Sequence, residues 1–302
     1  MMKSQNKNKI FIMPFSGDEL DHAESRRTPE ELEFFIKQDN AQCLCIYNGS
    51  VAINSAGGLK LIHPSKLIGK KINDPGPIFL GIRNNTPIFS ASLVEPGEIK
   101  EDLTFEDLRK ASKFLSPQEM SVAGRAKSLL DWHINNRFCS KCGQITQPSS
   151  GGIKRECNRC STEHFPRVNP VVIMLIISNN KVLLGRGKGW PEGAMSALAG
   201  FISPGETIEE AVKRETYEEV GIKIKNAKYI FSQPWPWPSQ LMIGMICEAE
   251  SEDLNINTDE IEEAKWFKKD QVKAVYDNSG DHFLRLPKFT IAHHLLRNWI
   301  DS

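Results

Sequence analysis

The hydrophobic pattern of the C-terminal half of the chain switches between the period of a strand and the period of a helix. Six short apolar runs predict strands, at residues 171–178, 181–184, 195–201, 222–231, 241–249 and 264–267. One four-residue repeat predicts the buried stripe of a helix, formed by Ile208, Val212, Thr216 and Val220. Another helix is predicted over 288–300. Strands around one central helix, with a second helix at the end, predict an α/β/α sandwich.

Capping residues mark both ends of the central helix. Thr207 and Glu210 have the T-x-x-E spacing of a capping box, which predicts that the helix begins directly after Thr207. Gly221 follows the last apolar position and suits the left-handed conformation in which many helices end. We therefore predict one short helix bounded by these two signals.

The N-terminal part of the chain predicts a mixed α/β domain. Apolar runs separated by Gly, Asn and Pro predict strands, at 43–47, 77–81 and 87–90. Two further segments predict helices, at 105–115 and 117–132. Cys43 and Cys45 are expected to be buried thiols, and no chemical motif is visible in this part of the chain.

Length and charge narrow the class of protein. The 302 residues, 40% of them hydrophobic, suffice for two or three domains with real cores. The net charge of zero provides no overall positive field for nucleic acid or an anionic membrane. The lysine-containing start has no apolar run of signal-peptide length, and the longest apolar run, 171–177, is too short to span a bilayer. We expect a soluble cytoplasmic protein that binds no membrane.

Four cysteines have the spacing of a zinc ribbon. Two C-x2-C pairs stand fourteen residues apart, formed by Cys139, Cys142, Cys157 and Cys160. Four thiolates complete a closed tetrahedral site, so the zinc would be structural and not catalytic. The alternative of two disulfides is disfavoured in a reducing compartment. The nearby basic residues fit either nucleic-acid contact or a solvated knuckle: Lys141, Lys154, Arg155 and Arg159.

Three carboxylates lie on one face of the central helix. Glu215, Glu218 and Glu219 stand at i, i+3 and i+4, so their side chains converge. Like charges at this spacing repel unless a cation or an arginine lies among them. Oxygen ligands of this kind suit Mg²⁺ or Mn²⁺, with substrate phosphate and water as further ligands. The alternative is a solvated acidic helix face.

The spacing around these carboxylates resembles a known motif. It matches the Nudix box, G-x5-E-x7-R-E-U-x-E-E-x-G-U, at Gly200, Glu206, Arg214, Glu215, Glu218, Glu219, Gly221 and Ile222. Thr216 departs from the bulky aliphatic expected at one U position. The chain thus resembles the Nudix hydrolases, which cleave a nucleoside diphosphate linked to another group.

A Trp-Pro segment follows, with the sequence Ser232-Gln-Pro-Trp-Pro-Trp-Pro-Ser-Gln-Leu-Met242. Alternating prolines hold the backbone extended, which places Trp235 and Trp237 on the same side of an ideally extended chain. Such an aromatic pair beside a metal-phosphate site can stack on a base or a nicotinamide ring. The alternatives are core packing and a proline-rich ligand for another protein.

This segment narrows the resemblance to the NADH pyrophosphatase subfamily, which carries SQPWPFPxS. The family order is an N-terminal domain, a four-cysteine zinc ribbon and a Nudix domain. The same order divides this chain into a mixed α/β domain at 1–130, a ribbon at 131–168 and a Nudix α/β/α sandwich at 169–302. Trp237 replaces the Phe of the family motif and Gln240 replaces its Ser, which affects the expected substrate preference.

The resemblance implies hydrolysis of NAD(H) to NMN(H) and AMP, and some members remove NAD caps from RNA. It implies Mg²⁺ or Mn²⁺ ligands at Ala199 (through its carbonyl), Glu215, Glu218, Glu219 and Glu260. It implies that Arg214 and Glu206 orient the glutamates, and that Glu218 or Glu219 activates water. It implies substrate contacts at Gln233, Pro234, Trp235, Pro236, Trp237, Pro238, Ser239, Gln240, Phe165 and Ala292. Relatives are commonly homodimers.

The sequence leaves two other functions open. A Nudix hydrolase of another diphosphate, such as ADP-ribose, would ignore the nicotinamide ring. A non-catalytic module built on the ribbon would bind nucleotide or nucleic acid without turnover, which the intact glutamate set disfavours.

Overall fold

The computed structural model describes residues 11–95, 97, 99 and 103–302. The first ten residues, which belong to the segment predicted not to be a signal peptide, lie outside the described residues. The described chain forms two six-stranded sheets, with a three-stranded sheet between them in sequence. No helix of the described chain is both long and apolar enough to cross a membrane.

The N-terminal sheet has the strand order β4-β5-β1-β2-β6, and β3 pairs with β1. Its strands are β1 (Gln42–Tyr47), β2 (Ser50–Ile53), β3 (Leu61–Ile62), β4 (Ile78–Arg83), β5 (Thr86–Ser92) and β6 (Thr104–Asp107). Its helices are α1 (Pro29–Lys37), α2 (Leu108–Ala111) and α3 (Pro117–Asn135). The mixed α/β domain predicted from the sequence is confirmed, and Cys43 and Cys45 are buried in its core.

The helix predicted over 105–115 is wrong at both ends, because residues 105–107 belong to a strand and α2 ends at Ala111. Residues at its start form β6, in which Phe105 pairs with Ala52. The Asp107 side chain then accepts the backbone N–H groups of Arg109 and Lys110, so the helix begins only there. The strand pairing of Phe105 and the cap at Asp107 therefore decide where this helix begins, although the apolar pattern predicts an earlier start.

The middle sheet carries the cysteine pairs. Its strands are β7 (Thr146–Ser149), β8 (Lys154–Cys157) and β9 (Glu163–His164), all antiparallel. Arg155 of β8 is only 1% exposed, which corrects its interpretation as part of a solvated knuckle. Its guanidinium donates to Asp74 at 2.8 Å and to Thr146 Oγ1 at 2.8 Å. Lys141 and Arg159 are exposed as expected.

The C-terminal sheet has the order β13-β14-β10-β11-β15, and β12 pairs with β10. Its strands are β10 (Asn169–Ser178), β11 (Lys181–Gly187), β12 (Leu198–Phe201), β13 (Ile224–Trp235), β14 (Gln240–Ala249) and β15 (Ile261–Lys268). Its helices are α4 (Ile208–Val220), α5 (Lys269–Tyr276) and α6 (Ile291–Asp301). Alternate residues of β10 pack against α4 on one face and against α5 and α6 on the other. This is the predicted α/β/α sandwich.

Helix α4 begins and ends where the sequence predicts. The Thr207 hydroxyl accepts the Glu210 N–H at 3.2 Å, and the Glu210 carboxylate accepts the Thr207 N–H at 2.8 Å. Gly221 has φ of 71° and donates to Tyr217 O at 2.9 Å. A side chain at residue 221 would also press on Asn255. Both capping signals therefore define the ends of the helix.

The position that departs from the Nudix box gives a stability prediction. Thr216 is buried on the inward face of α4, and its hydroxyl has no hydrogen-bond partner. We expect Thr216→Val to raise the free energy of unfolding by about 1 kcal/mol, because it replaces an unpaired buried hydroxyl with a methyl group. Urea unfolding measures this change. As a control, Thr207→Val should lower stability by about 1 kcal/mol through loss of the cap. A loss of stability in Thr216→Val would show that the hydroxyl has a partner.

Candidate active site

The four predicted zinc cysteines converge at one point. Their sulfur atoms all lie within 4.8 Å of one another, with Cys139 Sγ 3.6 Å from Cys160 Sγ and Cys142 Sγ 3.5 Å from Cys157 Sγ. Among the described residues, no other group of three or more His, Cys, Asp or Glu side chains is as tightly gathered. A closed set of four thiols suits structural zinc.

Arg214 is the centre of the network on α4. Its Nε lies 2.5 Å from Glu206 Oε1 and its Nη2 lies 2.8 Å from Glu206 Oε2. Its Nη1 donates to Glu215 at 2.8 Å and to Glu218 at 3.0 Å, and Nη2 also donates to Phe201 O at 2.9 Å. Because one guanidinium fixes three carboxylates and a strand end, the glutamates are held in place before any ligand binds.

Glu219 stands apart from this network. Its side chain is 6% exposed, and its Oε2 is buried without a hydrogen-bond partner. Burial raises the pKa of Glu219 to about 8, and the nearby charges of Glu215, Glu260 and Glu218 add to the shift. A buried carboxylate among other carboxylates either holds a proton or is compensated by a cation, so this site favours cation binding when Glu219 is ionised. The donor set is entirely oxygen, so it fits a hard divalent ion such as Mg²⁺ or Mn²⁺.

Ala199 and Gly200 lie within the strand β12, beside this carboxylate cluster. The Glu215 carboxylate lies so close to Gly200 that a Cβ at residue 200 would overlap it. Ala199, one residue earlier in the strand, is exposed. The glycine of the motif is therefore required by the close approach of a glutamate, and it brings the neighbouring backbone to the cluster.

Glu260 reaches the cluster from a distant part of the chain. The preceding turn is bound to the last turn of α4, because Asn257 N donates to Glu219 O at 2.9 Å. Arg186 also holds the segment after Glu260, since it pairs with Glu262 and with Glu263, the latter at 3.4 Å. A β-bulge between Arg186 and Gly187 accompanies this pairing. These contacts place an exposed Glu260 among the charges that act on Glu219.

A cavity of about 420 Å³ opens beside the carboxylate cluster. Its lining includes Ala199, Phe201, Trp235, Gln240 and Ala292, together with Trp190. Phe201 is 53% exposed, yet the sequence prediction did not select it. The available signal is a large aromatic residue directly after the motif glycine, at the end of the strand predicted over 195–201.

The Trp-Pro segment divides between the cavity and the protein interior. Trp235 and Gln240 line the cavity, whereas Trp237 packs edge-on against Phe15 and lies beneath the Arg109 guanidinium. Trp235 and Trp237 remain neighbours, with ring centroids 4.6 Å apart. The expectation that both rings line one pocket therefore holds for Trp235 only.

Gln233 also points away from the cavity. It is fully buried, its amide donates to Pro14 O at 3.1 Å and Phe289 O at 2.9 Å, and it accepts the Ile291 N–H at 2.8 Å. The predicted substrate contact of Gln233 is thus corrected, because its polar atoms are already engaged by backbone.

The other predicted substrate residues lie in several places. Pro234, Pro236 and Ser239 line a second cleft, on the N-terminal domain side of Trp235. Pro238 O accepts the Ser128 hydroxyl of α3 at 3.0 Å. Phe165 is exposed and does not line the cavity within this one chain.

Comparison with known proteins matches three family models along the chain. They are described as the NADH pyrophosphatase-like rudimentary NUDIX domain (residues 40–132), the NADH pyrophosphatase zinc ribbon domain (134–165) and the NUDIX domain (167–286). The NAD-capped RNA hydrolase NudC of Chromobacterium violaceum is 35% identical over 85% of this chain and 91% of its own length. The chain belongs to the Nudix hydrolases.

Other Nudix relatives differ in length. Human NAD-capped RNA hydrolase NUDT12 is 43% identical over 62% of this chain, which spans 43% of the length of that relative. Mouse mitochondrial NAD(P)H pyrophosphatase NUDT13 is 35% identical over 80% of this chain and 72% of its own length. The matches also identify the N-terminal sheet as a rudimentary Nudix domain, so the chain carries two Nudix-like units separated by a zinc ribbon.

Proposed function

We propose that this Nudix chain hydrolyses the pyrophosphate bond of NAD(H) to NMN(H) and AMP, with Mg²⁺ or Mn²⁺ as the catalytic ion. One observation carries the proposal: the buried, unpartnered carboxylate of Glu219 belongs to a carboxylate cluster that meets an aromatic-lined cavity at Gly200. The first feature suits a cation-bound diphosphate, and the second suits a planar ring. The names of three relatives, which refer to NAD-capped RNA and NAD(P)H, support this substrate class.

Each group has a defined task in the proposed reaction. A divalent ion held by Glu215, Glu219, Glu260 and the Ala199 carbonyl, with Glu218 nearby, would neutralise the diphosphate and lower the pKa of water. Arg214 keeps Glu215 and Glu218 oriented, and Glu206 keeps Arg214 oriented. Glu219 or Glu218 accepts the proton of the water that attacks one phosphorus in line. Trp235 and Phe201 bind the ring of the substrate in the cavity.

We extend the proposal to NAD-capped RNA 5′ ends, to a homodimer and to action in the cytoplasm. The first rests on the names of the relatives, and the others rest on the resemblance to the NADH pyrophosphatase subfamily. In a homodimer, the exposed Phe165 is free to contact substrate in the partner copy. Sedimentation at several protein concentrations tests the dimer, and a strictly monomeric chain would contradict it.

The test of the substrate compares NADH, NAD and ADP-ribose as substrates for the purified protein with Mn²⁺. We expect release of NMN(H) and AMP, with NADH favoured over ADP-ribose. Cleavage of ADP-ribose alone would instead support a hydrolase of another diphosphate. Tight binding without any cleavage would support a non-catalytic module.

The cavity wall gives a more specific prediction. Trp235→Ala is expected to raise KM for NADH by about two- to tenfold, because stacking between aromatic rings is worth about 0.5–1.5 kcal/mol. The control is Trp237→Phe, which keeps an aromatic ring against Phe15 outside the cavity and should leave KM unchanged. Thermal unfolding of both variants separates lost binding from lost stability. An unchanged KM in Trp235→Ala would remove Trp235 from the substrate site.

A further inference from the structure

A second cleft, of about 450 Å³, lies between the N-terminal domain and the Nudix domain. Its walls come from α3, from the segment around Phe15 and from the Trp-Pro segment. Helix α3 approaches that segment closely at Gly124, where a Cβ would lie 3.4 Å from Pro236. Ligand sites occur preferentially at such domain boundaries.

Arg125 of α3 lines this cleft without a partner. Its Nε is buried and makes no hydrogen bond. Throughout the part of the chain that the structure describes, no hydrogen bond or ion pair of its guanidinium is present. Buried donors that lack a partner are costly and require an explanation, such as an ion or a ligand.

Two other arginines, Arg27 and Arg155, have the hydrogen-bond partners that Arg125 lacks. Arg27 donates to His22 O at 2.9 Å and to Phe79 O at 2.9 Å. Arg155 is paired with Asp74 at 2.8 Å. Since the fold satisfies these two guanidinium groups internally, the unpaired donors of Arg125 are not a general property of its interior.

The charges around Arg125 leave its donors available. Asp18 and Glu24 act on it electrostatically, yet neither carboxylate forms an ion pair with it among the described residues. His22 also lines the cleft, and burial, together with the charge of Arg125, lowers the pKa of His22. The charge of Arg125 thus disfavours a second positive charge on His22 in this cleft.

The remaining walls suit the other parts of a nucleotide. Trp235, which is partly exposed, presents aromatic surface to the cleft, and the buried Phe15 packs edge-on behind it with ring centroids 6.0 Å apart. Ser121 and Asp18 provide a hydroxyl and a carboxylate that can bind a ribose. An apolar wall with a few convergent polar groups is typical of small-molecule sites.

The cleft and the catalytic cavity share two residues, Trp235 and Gln240. In the sheet, Gln240 pairs with Asn169, while Phe201 of the cavity pairs with Val171. Asn169 and Val171 stand two residues apart on β10, so the two pairs are separated by about 7 Å along that strand. Trp235 therefore forms a wall between two adjoining sites, and a ligand in one contacts the same ring as a ligand in the other.

We propose that this cleft is a second, non-catalytic site for a nucleoside monophosphate. Arg125 binds the phosphate, and the ring of Trp235, supported by the buried Phe15, binds the base. The proposal does not depend on hydrolysis, because none of the carboxylates of the catalytic site takes part. Occupation of the cleft restrains Trp235 and thereby the adjoining cavity.

The experiment titrates AMP into the full chain in EDTA, where the catalytic carboxylates hold no divalent ion, and follows heat and tryptophan fluorescence. We expect wild type to bind AMP, and Arg125→Gln to bind about tenfold or more weakly through loss of a charge-assisted contact. Arg159→Gln makes the same change on the exposed ribbon and should bind as wild type does. Arg125→Lys keeps the charge and should retain part of the affinity.

One further variant and two further ligands show which site binds AMP and which part of AMP is recognised. Phe201→Ala alters the catalytic cavity only, so AMP binding in EDTA should persist. Inorganic phosphate should compete with AMP, and adenosine should bind more weakly than AMP. Equal affinity of wild type and Arg125→Gln, loss of binding in Phe201→Ala, or no binding of AMP at all would each overturn the proposal. Failure of the chain to hydrolyse NADH would leave this result untouched, so the two proposals fail separately.

Discussion

Glu219→Gln is expected to lower kcat for NADH by about 10³-fold or more while the fold remains intact. The amide cannot accept a proton from water and is a poorer ligand for a divalent ion than a carboxylate. Preorganised charge at the reacting centre is typically the largest single contribution to catalysis. The measurement is kcat at saturating NADH and saturating Mn²⁺, so that weakened metal binding does not obscure the effect.

A matched control lies on the same helix. Glu209 is exposed on α4 and belongs to no part of the carboxylate network, so Glu209→Gln should keep wild-type kcat. Near-normal turnover in Glu219→Gln, with an unchanged fold, would remove Glu219 from the reaction. Equal loss in both variants would point to general damage of the helix.

In EDTA, Glu219→Gln is expected to raise the stability of the fold, although it lowers kcat. Because the pKa of Glu219 is raised to about 8, the folded chain holds a proton that the unfolded chain releases near its ordinary value of 4.5. Wild type should therefore lose stability as the pH rises from about 4.5 to about 8, and level off above. Glu219→Gln lacks this loss, so its advantage in Tm should grow over that range. A constant difference would contradict the buried, uncompensated carboxylate.

The central helix shows how much the sequence predicts when local signals agree. Thr207, Gly221 and the buried stripe each specify the same helix, and the structure begins and ends α4 accordingly. The Arg214 network is local as well, since most of its partners lie within eight residues. Short-range spacing on a helix therefore brings these side chains together without help from the rest of the fold.

Long-range contacts explain what the sequence did not predict. Gln233 appears as a polar residue in a substrate motif, but its partner Pro14 lies 219 residues away. Arg155 appears as a surface charge, but its partner Asp74 lies 81 residues away. Helix α5 begins after Lys268, which is not a capping residue type, so no start signal marked it. A local sequence pattern shows neither that a polar side chain will be buried nor which distant residue it will pair with.

Arg155 provides the second large expected effect, on stability and not on catalysis. Arg155→Met should lower the free energy of unfolding by about 2–4 kcal/mol, because a fully buried guanidinium is removed from its pair with Asp74, which is itself 35% exposed, and from its buried acceptors. The loss also deprives Thr146 O and His133 Nδ1 of a donor, at 2.8 and 3.0 Å. Urea unfolding measures the change, and a colorimetric chelator measures whether zinc is retained.

A control variant and a double-mutant comparison with Asp74 distinguish the possible roles of Arg155. Arg159→Met removes an exposed arginine from the same knuckle and should change stability by less than about 0.5 kcal/mol. If Arg155 binds the ribbon to the N-terminal domain through Asp74, then Asp74→Asn should cost much less in the Arg155→Met background than in wild type. Additive losses would show that the two side chains act independently. Coupled losses with full zinc retention would show that the guanidinium docks an already folded ribbon, since the metal site forms without it.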